Sequence, residues 1–105
     1  MRMYNPAHPG IILREYLNGA SITDVAKRLG ISRVALSRIV NAQASITPEM
    51  AVRLSQLLNN TSPNFWLNMQ ANYDLWQIKQ HKTFNITPLF PEASLSSMKA
   101  TVTRA

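Results

Sequence analysis

Cysteine is absent from the 105-residue chain, so neither a disulfide nor a thiolate metal centre holds it together. Histidine is nearly absent: only His8 and His81 occur, on opposite sides of the region with helical patterning. Paired carboxylates at helical spacing, a phosphate-binding glycine loop and a nucleophile signature are also missing, which leaves catalysis nothing to work with. The expectation is a protein that is not an enzyme, with no cofactor and no metal. No apolar run approaches the roughly 18 residues of a membrane span, and the opening MRMYNPAHPG lacks the apolar core of a signal peptide; a cytoplasmic protein is expected. Acidic residues are scarce, five Asp and Glu against eleven Lys and Arg, and the net charge of +6 favours an anionic partner.

With 46% hydrophobic and 15% charged residues, the chain has the composition of a folded domain and not of a disordered one. Its patterning is helical. After Pro9 and Gly10, IILREYL places apolar residues at helical intervals and stops near Asn18 and Gly19. Ser21, with Asp24 three residues on, opens a second helix that buries Ile22, Val25, Ala26 and Leu29 and ends at Gly30. Ser32 caps a third helix running to about Asn41. Thr47-Pro48-Glu49 starts a fourth that ends near Asn59, and Ser62-Pro63 starts a fifth. No stretch in the first 80 residues alternates with period two, so the fold class is all-α, with five helices. Residues 1–80 form the domain and 81–105 a partly extended or mobile tail. There the helical pattern is lost, Pro88 and Pro91 interrupt the chain, and only Thr83 to Ile86 suggests a short extended piece.

The second and third helices are joined by little more than Gly30 and Ile31, the arrangement of a helix-turn-helix, whose second helix enters the DNA major groove. At about 100° per residue, Arg33, Val34, Ser37, Arg38 and Asn41 fall within an arc of roughly 140°, while Ala35, Leu36, Ile39 and Val40 occupy the opposite arc. The first set is the candidate reading face. Arg33 and Arg38 offer forks to guanine O6 and N7 or to phosphate, Val34 a contact for a thymine methyl, and Ser37 a bond to a base edge or phosphate. Ser32 serves first as a cap. Backbone N–H groups after Ser21 point toward a crossing phosphate, and Asn41 and Gln43 lie in the loop expected to clamp the DNA backbone.

The run SITDVAKRLGISR resembles the helix-turn-helix of Xre/Cro-type repressors, which implies a lambda-repressor-like domain. HPG, VNAQASITPEMAVRLS and SPNFWLNMQANYDLW together resemble the HigA/VapI antitoxins, with the match running from about His8 to Gln80. The resemblance implies a homodimeric, DNA-binding antitoxin that represses its own operon through a palindromic operator and neutralises a HigB-type mRNA-cleaving toxin. It also implies a glycine in the turn after the recognition helix, where this chain has Ala42. A stand-alone Xre-type regulator without a toxin, and a protein-interaction module on the same fold, are the alternative readings.

The fifth helix carries two apolar stripes. Trp66, Met69, Tyr73 and Trp76 fall within about 100° of one another and suit the core, while Leu67, Ala71, Leu75 and Ile78 lie on the far side within about 80°. One small domain has difficulty covering both, so the second stripe is the candidate homodimer interface.

Overall fold

Each helix begins at a residue whose side chain takes up an otherwise unpaired N–H of the first turn. In the computed structural model, which describes residues 5–90, the order is α1 (Pro9–Leu17), α2 (Ile22–Leu29), α3 (Arg33–Val40), α4 (Pro48–Leu57) and α5 (Pro63–His81). Ser21 accepts from the Asp24 N–H at 3.3 Å and Ser32 from Ala35 at 3.0 Å. Thr47 accepts from Met50 at 3.2 Å and Ser62 from Phe65 at 3.1 Å. Proline occupies the first helical position of α1, α4 and α5, where its missing N–H costs nothing. No strand occurs among the described residues, in agreement with the all-α expectation. The fourth helix stops at Leu57, two residues earlier than its sequence pattern suggests.

The core gathers one face from each helix. Leu13, Leu36, Leu54 and Trp66 are fully buried, and Val25, Leu29, Ile39, Val40, Ile46 and Ala51 surround them. Gly10 belongs to this core for want of a side chain, because a Cβ there would strike the Ile39 carbonyl, so the start of α1 rests directly on the backbone of α3.

Length explains why α5 is covered differently along its course. Its first turns are covered on both sides: Phe65, Leu67 and Met69 are half-buried against the core, and Tyr16 of α1 meets the rings of Phe65 and Trp66 edge-on at 5.9 and 5.6 Å. Beyond Gln70 the helix runs past its neighbours. Ala71, Leu75 and Ile78 are exposed, while Tyr73 and Trp76 remain half-buried. The two stripes therefore separate as anticipated, except that Leu67 is partly covered by its own domain. Residues 82–90 form neither helix nor strand and are exposed, including Phe84, Ile86, Leu89 and Phe90. The rest of the tail, Pro91 included, lies outside the described residues.

His8 is the one N-cap of unusual chemistry. Its Nδ1 accepts the Gly10 N–H at 2.9 Å, and its ring is buried and meets the Tyr73 ring edge-on at 4.9 Å. Burial lowers its pKa below the ordinary 6.5, against the opposing pull of the Asp74 carboxylate and the Ala44 backbone. Protonation would turn the accepting nitrogen into a donor and break the cap. Because the folded-state pKa is the lower one, the unfolded chain binds the extra proton first; stability is full above 6.5 and is lost as pH falls from there through the folded value. The prediction is a melting temperature that declines as pH falls through and below 6.5, a decline absent from His8→Asn, whose cap does not titrate there. A wild-type profile as flat as that of the variant would show that His8 is not the group responsible.

Candidate nucleic-acid interface

The turn between α2 and α3 takes its shape from Gly30, which sits at φ 76°. Its N–H reaches Lys27 O at 3.2 Å and the Ile31 N–H reaches Ala26 O at 3.0 Å, the paired closure that a left-handed residue permits at a helix end. Ala26 and Leu29 are buried beneath this turn and Ile31 half-buried beside it. From the far side, the Arg53 Nη1 of α4 donates to Leu29 O at 2.6 Å. The inner residues of α3, Leu36, Ile39 and Val40, are buried; Arg33, Val34 and Arg38 are exposed and Ser37 half-exposed. The structure thus brings Arg33, Val34, Ser37 and Arg38 to one outward face, where with Ile22 they line a shallow hollow.

Charge on this face is left uncompensated. Of the ion pairs among the described residues, Asp24 holds Arg28 at 3.0 Å and Glu49 holds Arg53 at 2.8 Å, both within a single helix. Among the described residues neither Arg33 nor Arg38 meets a carboxylate; Arg38 reaches the Gln43 carbonyl, at 3.4 Å. An exposed guanidinium without a carboxylate partner keeps most of its donors available to a phosphate or a guanine edge.

The remaining expected contact residues are in place but carry structural bonds as well. Ser21 and Ser32 are the caps of α2 and α3. Asn41 is the C-cap of α3: its Nδ2 donates to Ser37 O at 2.9 Å, and its Oδ1 accepts from Arg14 Nη2 at 2.7 Å. The same Arg14 nitrogen reaches Val40 O at 2.8 Å. Gln43 is exposed, with its N–H on Arg38 O at 2.7 Å. Arg14 and Arg53, which orient the two helices, were not discernible from the sequence. Each acts across a gap of 24 or more residues, and nothing in a local pattern of charges marks that reach.

Residues 12–66 match the helix-turn-helix family. Virulence-associated protein A′ of Dichelobacter nodosus is 40% identical over 98 residues, which cover 91% of this chain and 85% of the relative. Antitoxin HigA-1 of Vibrio cholerae is 34% identical over 91 residues, covering 81% of this chain and 85% of the relative. The chain belongs to the helix-turn-helix family of HigA antitoxins. Among solved structures, Pseudomonas aeruginosa antitoxin HigA with the higBA promoter superposes with a TM-score of 0.71 at 35% identity, covering 81% of this chain and 99% of that one. No helix among the described residues is long and apolar enough to cross a membrane.

Ala42 stands where the resemblance to the HigA antitoxins implies a glycine. It lies at φ 62°, a left-handed conformation that disfavours any residue with a Cβ. Its N–H bonds to Ile39 O at 3.0 Å, and together with the Gln43 bond it closes α3 as Gly30 closes α2. Ala42→Gly is expected to raise the unfolding free energy by about 1 kcal/mol, read as a higher denaturation midpoint at unchanged slope. An unchanged or lowered midpoint would mean that the turn carries no strain.

Proposed function

We propose that this protein is a DNA-binding antitoxin of a type II toxin–antitoxin module. It acts in the cytoplasm, binds a palindromic operator as a homodimer, represses its own operon and neutralises a HigB-type mRNA-cleaving toxin. The observation that carries this reading is the outward face of α3, on which Arg33 and Arg38 flank Val34 and Ser37 with no carboxylate among the described residues paired to them. That face needs a partner rich in anionic acceptors, and a helix capped at Ser32 and joined to α2 by a short turn presents it as the major groove requires. The existence of a Pseudomonas aeruginosa antitoxin HigA structure with its promoter supports the same use of the face here.

Binding to the protein's own upstream DNA should weaken steeply with salt, as each neutralised phosphate releases counterions. If Arg38 reads a base, Arg38→Ala is predicted to cost roughly 1–3 kcal/mol on the specific site and to relax preference at one position. Equal losses on specific and random duplexes would reduce Arg38 to a phosphate contact, and salt-independent binding would remove the DNA reading itself. A basic toxin gene beside this one would support the antitoxin over a stand-alone regulator.

The dimer is supported by α5. Leu75 and Ile78 are 54% and 44% exposed on one side of that helix, and burying such side chains fully is worth about 1.5–3 kcal/mol each. Leu75→Glu is predicted to give a monomer in sedimentation that has lost specific DNA binding while keeping its helical circular dichroism. A variant that still dimerises, or a wild type monomeric at micromolar concentration, would place the interface elsewhere.

A further inference from the structure

Val34 is 69% exposed, more than any other large apolar residue on the five helices. It stands in the first turn of an eight-residue helix, where a β-branched residue is a poorer helix former than alanine and gains nothing from packing. It shares the lining of the hollow with Ile22, the first residue of α2. Ile22 is half-buried against the core, which fixes it in position, and still lends surface to the hollow. Arg33, Ser37 and Arg38 complete the lining. A phosphate would find its donors at the arginines but would also desolvate against two aliphatic side chains. The two aliphatic side chains instead suit a small apolar projection on an otherwise polar, acceptor-rich surface. The major groove offers one: the 5-methyl group of a pyrimidine.

We infer that the hollow between Ile22 and Val34 seats the 5-methyl group of a thymine or of a 5-methylcytosine, so that one position in each half-site is read through its methyl. This rests on the DNA-binding reading above. It makes Val34 a specificity-determining residue and makes cytosine methylation at that position a modulator of affinity.

The test uses the full chain and a duplex selected by it from a random pool. Each thymine is replaced in turn by uracil, which removes the methyl and alters no hydrogen-bonding group. One thymine per half-site should prove sensitive, losing about fourfold in affinity, the worth of one buried methyl. Cytosine at that position should bind more weakly than thymine, and its 5-methylation should regain a similar factor. In Val34→Ala, whose side chain is too exposed for its loss to unfold the domain, uracil and thymine should bind alike. Uracil tolerated at every position, or a uracil penalty that persists in Val34→Ala, overturns the inference while leaving the DNA-binding reading intact. A selection that enriches no sequence overturns both.

Discussion

The last four carbonyls of a helix have no partner inside it, and in α3 all four are met from outside. Ser37 O takes the backbone and side-chain N–H groups of Asn41, and Arg38 O the Gln43 N–H. Ile39 O takes the Ala42 N–H, and Val40 O the Arg14 guanidinium of α1. A helix of eight residues is too short to persist by itself, so its orientation is decided by what holds its ends and inner face. The N-terminus is held by Ser32 and the inner face by Leu36, Ile39 and Val40. The C-terminus is held by this set of bonds, which requires a left-handed residue at 42 and an arginine at 14. The position of Arg33, Val34 and Arg38 on the surface follows from these constraints.

What the sequence discloses of this arrangement is what acts locally. Ser21, Ser32, Thr47 and Ser62 are all caps because an N-cap bond spans three residues and leaves its signature within that span. The core stripes of α2 and α3 are equally legible, since burial at Val25, Leu29, Leu36 and Ile39 follows the helical period. His8 escapes such reading. Histidine is an uncommon cap, and its role depends on a ring nitrogen whose burial is supplied by α5. Arg14, Arg53 and Gln70 escape it for another reason: each side chain stabilises backbone 24 or more residues away. The loop after α3 is likewise opaque, because alanine gives no hint that position 42 adopts a positive φ.

The two stripes of α5 show where periodicity alone stops. Both are real apolar faces, but length decides which parts are covered. At 1.5 Å per residue, a helix of 19 residues extends about 28 Å, roughly twice the reach of α1 and α4 beside it, which have nine and ten residues. Near its start, residues of either stripe find neighbours, which is why Leu67 is half-buried together with Phe65 and Met69. Farther along, only the side turned back toward His8 retains cover, through Tyr73. The opposite side is left open at Ala71, Leu75 and Ile78.

The same helix is tied to the reading face by a buried polar bond. Gln70 Oε1 accepts the Ile46 N–H at 2.8 Å, and its Nε2 donates to Asp74 Oδ1 at 2.9 Å. Ile46 is itself buried, and it anchors the loop that leaves α3 through Asn41, Ala42 and Gln43. Buried amides of this kind are costly to leave unpaired, so the bond resists sliding of α5 against that loop. In a dimer assembled on the open side of α5, each recognition helix would then be connected to the two-fold axis through Ile46 and Gln70 with little freedom to swing. A fixed distance between two reading faces converts directly into a fixed separation of half-sites. Discrimination between operators by such a dimer would accordingly depend on spacing as well as on base identity.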